Sequence, residues 1–197
     1  HFDVIPKAVD EYHQQLRAYE TQDENARLNN PVWHIHSGDV PKSGMVVPFS
    51  MLLNLASVVG AKNKDQLWGF IKRYAPDATP DTNSDLDAAV EFALRYYDDF
   101  VKPTKTYRAP SDLEAEALAE LLSGLKTWSQ GPDPDALQSL VFSCGRERFD
   151  PMRDWFKALY EILLGASQGP RFGGFLALLG IEESIALIEK CLAGDFS

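Results

Sequence analysis

The sequence predicts an all-α fold, a multi-helix bundle with at most one or two short strands. Three features point there. Apolar residues recur at three- and four-residue intervals along most of the chain, the spacing that gathers them on one helix face. Asn, Ser and Asp stand ahead of these runs and glycines behind them, as helix start and stop signals do. Alternating apolar–polar runs, the mark of half-buried strands, are scarce.

The first stripe is Ile5, Ala8, Tyr12, Leu16 and Tyr19. Residues 31–36 and 45–48 are the two stretches that read as extended. Both are short and flanked by proline or glycine, so they are strand fragments at best, or a loop packed through Val32, Trp33 and Ile35. Leu67, Phe70, Ile71 and Tyr74 share a face after a start at Asn63, with Gln66 three residues on. Leu86, Val90, Ala93, Leu94, Tyr97 and Val101 predict a longer helix entered near Ser84. Ser111-x-x-Glu114 has the capping-box form, ahead of Leu113, Ala117, Leu118, Leu121, Leu122 and Leu125. Asp133-Pro134 and Asp150-Pro151 each offer an N-cap acceptor before a proline in the first turn, where its missing N–H costs nothing. The helices they open carry Leu137, Leu140, Val141 and Cys144, then Trp155, Leu159, Ile162 and Leu163. Trp155 is expected in the core. Gly165 and Gly180 sit where C-caps belong. A last helix carries Ile181, Ile185, Ile188 and Leu192 and stops at Gly194. The proline-rich stretch 75–83 predicts a boundary between subdomains 1–80 and 81–197, and residues 130–132 a lesser break.

Composition narrows the function classes. Apolar residues make up 45% of 197, enough for a packed core. No apolar run approaches the ~20 residues of a membrane span. The opening His1-Phe2-Asp3 has no basic or apolar leader. Starting without methionine on a structured segment, it reads as a piece of a longer chain. Cys144 and Cys191 match no metal or redox spacing and read as buried thiols in a reducing cytosol. A net charge of −10 argues against loose, unspecific nucleic-acid binding, though an acidic protein can carry a basic surface.

No phosphate-binding loop, dinucleotide fingerprint or nucleophile elbow is present, so no catalytic residue is expected. His34 and His36 would point to one side of an extended segment, but a metal site needs a third ligand and Asp39 alone is near. They are expected to hydrogen-bond the loop, and no metal site is expected. The cations, by contrast, are bunched: Lys62, Lys64, Lys72 and Arg73; Lys102, Lys105 and Arg108, with Tyr107 among them; and Arg146, Arg148, Arg153, Lys157 and Arg171. Arg153 and Lys157 share a helix face, and Arg171-Phe172 pairs a guanidinium with a ring. Cations beside exposed rings hold phosphates and stack unpaired bases. The acids Asp112, Glu114, Glu116 and Glu120 form a face with no such role.

Several long segments resemble class I lysyl-tRNA synthetases: residues 2–12 (FDVIPKAVDEY), 30–36 (NPVWHIH), 67–76 (LWGFIKRYAP), 100–103 (FVKP), 155–165 (WFKALYEILLG) and 168–175 (QGPRFGGF). The resemblance spans nearly the whole chain and implies the C-terminal part of such an enzyme, without the HIGH-type and KMSKS-type segments of its catalytic domain. It implies a cytosolic parent that joins lysine to tRNA(Lys) with ATP and Mg, an α-helical cage that reads the anticodon, and a preceding segment that contacts the tRNA stem. This part alone is expected to hold no cofactor and to be inactive. Its expected partners are tRNA(Lys) and the missing catalytic domain, with no DNA and no membrane. Lysine anticodons are rich in uridine, whose two carbonyls suit Arg or Lys. The expected base-reading residues are Arg171, Phe172, Arg153, Lys157, Arg146 and Arg148. Lys102, Lys105, Tyr107, Arg108, Lys72 and Arg73 are expected on the backbone or stem. The competing reading is a helical protein-interaction module without RNA affinity. Separately, an alternative use of the Gly165–Gly174 turn is purely structural, letting two helices cross closely.

Overall fold

Local capping chemistry sets five of the eleven helix starts in the computed structural model, which describes residues 4–195. Phe2 and Asp3 of the family-like opening lie outside these. Among the described residues there are eleven α-helices and no strand: α1 (Ile5–Thr21), α2 (Glu24–Asn29), α3 (Pro31–Ile35), α4 (Phe49–Val58), α5 (Lys64–Tyr74), α6 (Ser84–Tyr96), α7 (Asp112–Lys126), α8 (Pro134–Arg146), α9 (Arg153–Leu159), α10 (Phe172–Leu179) and α11 (Ile181–Leu192). The all-α expectation therefore holds. α6 runs on through a π-turn (Tyr97–Val101) and a 3-10 turn (Lys102–Thr104), and α9 through a π-turn (Tyr160–Leu164).

The capping box is present in full: Ser111 Oγ accepts from Glu114 N–H, and Glu114 accepts from Ser111 N–H. Asn63 caps α5 through Gln66 N–H, and Asp133 caps α8 with Pro134 at its first position. Gly165 takes the left-handed conformation (φ 61°) that ends the α9 π-turn, where a Cβ would be strained.

Three expectations need correction. Residues 31–35 are helical, because Asn30 accepts from Val32 N–H at 3.0 Å and Pro31 occupies the first turn. On that helix His34 and His36 no longer share a side; His36 Nε2 instead meets Tyr12 Oη at 2.8 Å, and Ile35 is 63% exposed. α9 starts at Arg153 rather than at Pro151 and has no side-chain cap. Pro151 lies in the preceding turn, its carbonyl accepting from Asp154 N–H. Leu113, on the first turn of α7, is exposed.

One apolar cluster runs from Met45 to Cys191. Its centre is α10, buried at every residue, which packs on α8, α4, α5 and α11. Gly173 makes the α8–α10 approach possible: a Cβ there would collide with the α8 backbone at Pro134 and Gln138. Its N–H donates to Gln138 Oε1 at 2.8 Å. Gly173 thus gives the glycine-bracketed turn the structural use expected as its alternative role, a close helix crossing. α6 packs on α4 and α5, while α7 packs on α8 and α11.

Candidate nucleic-acid interface

The last turn of α8 and the first turn of α9 meet because Trp155, fully buried, lies where a Cβ of Gly145 would be. Its indole N–H donates to the Val141 carbonyl at 2.8 Å, and its ring stacks on Phe149. This packing sets the end of α8, which carries Arg146 and leads to Arg148, against the start of α9, which carries Arg153 and Lys157 one turn apart; the corner is where these two helix ends meet. Arg146 is exposed and has no ion-pair partner among the described residues. The Arg153 side chain is 85% exposed, with only a distant contact (3.7 Å) to Asp154. Lys157, four residues on, is exposed and 3.6 Å from Glu161. Arg148 is less available: it holds Glu120 at 2.6 Å and the Cys144 carbonyl at 2.9 Å.

Arg171 and Phe172 do not join this corner. Arg171 pairs with Asp135 at 2.7 Å, at the other end of α8, about 16 Å away by helix rise. Phe172 is fully buried between Tyr160 and Phe175, each 6.0 Å by ring centroid. It cannot stack a base; an aromatic on an all-buried helix is core.

The 102–108 segment divides in the same way. Lys102 is exposed, 3.7 Å from Asp98. Lys105 turns inward: its Nζ donates to Ser57 Oγ, to the Leu164 carbonyl (2.6 Å) and to Tyr107 Oη (3.3 Å), and lies over the Tyr97 and Tyr107 rings. Burial lowers its pKa to about 8. With its three donors committed, Lys105 is no phosphate contact. Burial also raises the Tyr107 phenol, whose ring lies against Gly165. Arg108 is clamped. Both of its terminal nitrogens reach Glu114 (2.8 and 2.7 Å), and its Nε reaches Glu161 at 2.7 Å. The guanidinium holds Glu114 down to about 2 and also lowers Glu161.

The sequence reading gave Glu114 and Glu120 no such role. Glu114 and Glu120 serve as partners of site cations, and Glu161 is shared by Arg108 and Lys157. Glu114 left a local signal, the capping box that begins three residues after Arg108, and Glu161 another, standing four residues after Lys157. On α5, Lys72 is exposed, and Arg73 lies over the Phe70 ring and pairs with Glu183 of α11 at 2.9 Å. Among the described residues no three His, Cys, Asp or Glu gather to hold a metal, and no helix is long and apolar enough to cross a membrane.

Two grooves border α1. One, of about 1270 Å³, lies between α1, α4 and the 165–169 loop, with Lys105, Arg108 and Glu161 in its wall. The other, of about 590 Å³, is mostly apolar and runs between α1 and α6 past Ile5, Val9, Phe49 and Phe92.

Comparison with known proteins finds lysine–tRNA ligases over nearly the whole chain. The chain is 68% identical over 195 residues to the lysine–tRNA ligase of Roseobacter denitrificans, covering 99% of this chain and 37% of that protein. It is 45% identical over 191 residues to that of Rickettsia felis, covering 95% and 36%. The chain thus spans little more than a third of the length of the curated relatives it matches. No family model matches it.

Proposed function

We propose that this chain is the tRNA-reading part of a class I lysine–tRNA ligase and that it recognises the anticodon of tRNA(Lys). The likeness to lysine–tRNA ligases supports the family, and the corner formed by Arg146, Arg153 and Lys157 supports the RNA contact. These three cations are exposed and lightly paired on a protein whose net charge is −10. Such cations are free to exchange solvent and counterions for phosphates or base carbonyls. Lys102 and Lys72, also exposed, are the proposed backbone or stem contacts. We assign residues 81–197 to the anticodon and residues 1–80 to the stem, with α6 of the second span packed on α4 and α5 of the first. Arg108 acts as a brace: it ties the 105–111 loop to α7 and to the α9 π-turn, whose Glu161 also steadies Lys157.

The whole-enzyme reaction, ATP-dependent attachment of lysine to tRNA, belongs to the proposed parent chain in the cytosol. ATP and Mg go with that reaction in the proposed parent chain, and no chemical step is assigned to the residues present.

A titration of a tRNA(Lys) anticodon stem-loop across a salt series tests the corner. Each lost phosphate contact should flatten the log–log salt slope by about 0.7. The Arg153→Ala/Lys157→Ala variant is expected to flatten it by more than one contact, whereas Arg171→Ala, remote from the corner, leaves it within error. An unchanged slope in the double variant removes the corner from the interface.

The α1–α6 groove favours a second reading, a protein-interaction module. It exposes Ile5, Phe92 and Phe100 together, and an apolar patch of this kind marks a contact surface. That reading predicts no salt-dependent RNA binding.

A further inference from the structure

We propose that Lys105 is a site of covalent acylation, accepting the acyl group of a small mixed anhydride of a carboxylic and a phosphoric acid that enters the groove between α1 and the 165–169 loop. Among the described residues, every other lysine either lies near a carboxylate or stands exposed in solvent. The partners of Lys105 are all neutral: the Ser57 and Tyr107 hydroxyls and the Leu164 carbonyl.

The charged and titratable groups around it do not supply a counter-charge. From the α6 π-turn comes the Tyr97 ring, and from its own segment Tyr107, which in turn feels Cys191 of α11. Glu161 of the α9 π-turn is taken by Arg108 and Lys157. On the opposite wall, Asp10 caps α4 through the Phe49 and Ser50 amides, and Glu11 faces Lys7. A hydroxyl can donate as well as accept, so Ser57 and Tyr107 can turn to serve a neutral amine as readily as an ammonium. The depressed pKa of about 8 agrees with this geometry. At pH 7.5 about a quarter of such amines are free base, against about one in a thousand for an ordinary lysine. The groove, about 1270 Å³, is roomy enough to admit a small reagent.

In the reaction the free Nζ attacks the acyl carbon and forms a C–N bond. The bond from that carbon to the phosphate oxygen breaks, and phosphate leaves with the electron pair. The nitrogen then releases one proton to solvent, giving an amide. The product has lost its charge and keeps one N–H where three donors stood, so the 102–108 segment loses contacts to α4 and to the α9 π-turn.

The test is a time course of the intact protein with acetyl phosphate at pH 7.5, read lysine by lysine by peptide mass spectrometry. Lys105 is expected to label at least about fivefold faster than Lys62 and Lys72. Its rate should level off above pH 8, while theirs climbs through pH 10. Labelling of Lys105 at or below the rate of those two, or a pH profile parallel to theirs, overturns the proposal. A Ser57→Asp variant, shown to be folded by circular dichroism, places a carboxylate beside Nζ and is expected to lose the rate advantage. Retention of the full advantage also overturns it.

Discussion

Arg108 is the residue where charge, position and stability meet most closely. Its guanidinium bridges Glu114 and Glu161, and Glu114 is held down to about 2 from 4.5, first by that contact and then by the Ser111 cap. The unfolded chain therefore binds more protons than the native one between those values. The stabilisation is complete above pH 4.5 and is lost as pH falls towards 2. Glu114 is largely buried but Arg108 is 39% exposed, so screening trims the effect to about 2 kcal/mol. Urea melts of Glu114→Gln are expected to lie about 2 kcal/mol below the parent protein at pH 7 and to converge with it near pH 2. A constant gap across that range would contradict the assignment.

The sequence shows where cations are but not what faces them. Arg108 meets partners 6 and 53 positions away, and Lys105 meets Ser57 and Leu164 at 48 and 59. Spacing rules reach only a turn or two. Phe172 is the same failure for an aromatic: the glycines beside it read as a turn, yet they lie in α10, and Gly173 lets that helix sink against α8.

At the scale of the element, three starts are legible because caps are local. Ser111 with Glu114, Asn63 and Asp133 each bond amides within three residues. α3 was missed because five residues carry too little periodicity, although Asn30-Pro31 is itself a cap followed by a first-turn proline. The π-turns after α6 and α9 have no signature in the apolar stripes, which continue through Tyr97, Val101, Ile162 and Leu163.

Two helical glycines make a paired test of the packing. Gly69 in α5 has open space around a built Cβ, whereas Gly173 in α10 faces the α8 backbone. Gly→Ala in an open helix stabilises by ~0.5–1 kcal/mol, while overpacking costs ~1–3 kcal/mol. Thermal melts should thus rise for Gly69→Ala and fall for Gly173→Ala. A rise for both would contradict the close α8–α10 crossing.

For the molecule as a whole, net charge says little about the interface. Twenty-nine acids outnumber nineteen cations, yet several of those acids are spent on Arg108, Arg148 and Arg171. Among the cations that stay lightly paired are Arg146, Arg153 and Lys157, where α8 meets α9, and Lys62, Lys72 and Lys102 elsewhere. The sequence placed Arg153 and Lys157 on one face correctly. It could not show that Arg171 lies a helix length away, because that separation depends on how α10 docks on α8.

Base recognition at this corner is the central claim, and the most direct measurement compares two RNAs at one salt concentration. One is the lysine anticodon stem-loop, and the other carries cytidine in place of the central uridine. The two have equal phosphate charge, so they differ only at a base edge. Reading of the uridine predicts tighter binding of the first by ~1–3 kcal/mol, a gap that Arg153→Ala or Lys157→Ala narrows. Equal affinity for both RNAs would contradict anticodon recognition and leave phosphate contact alone.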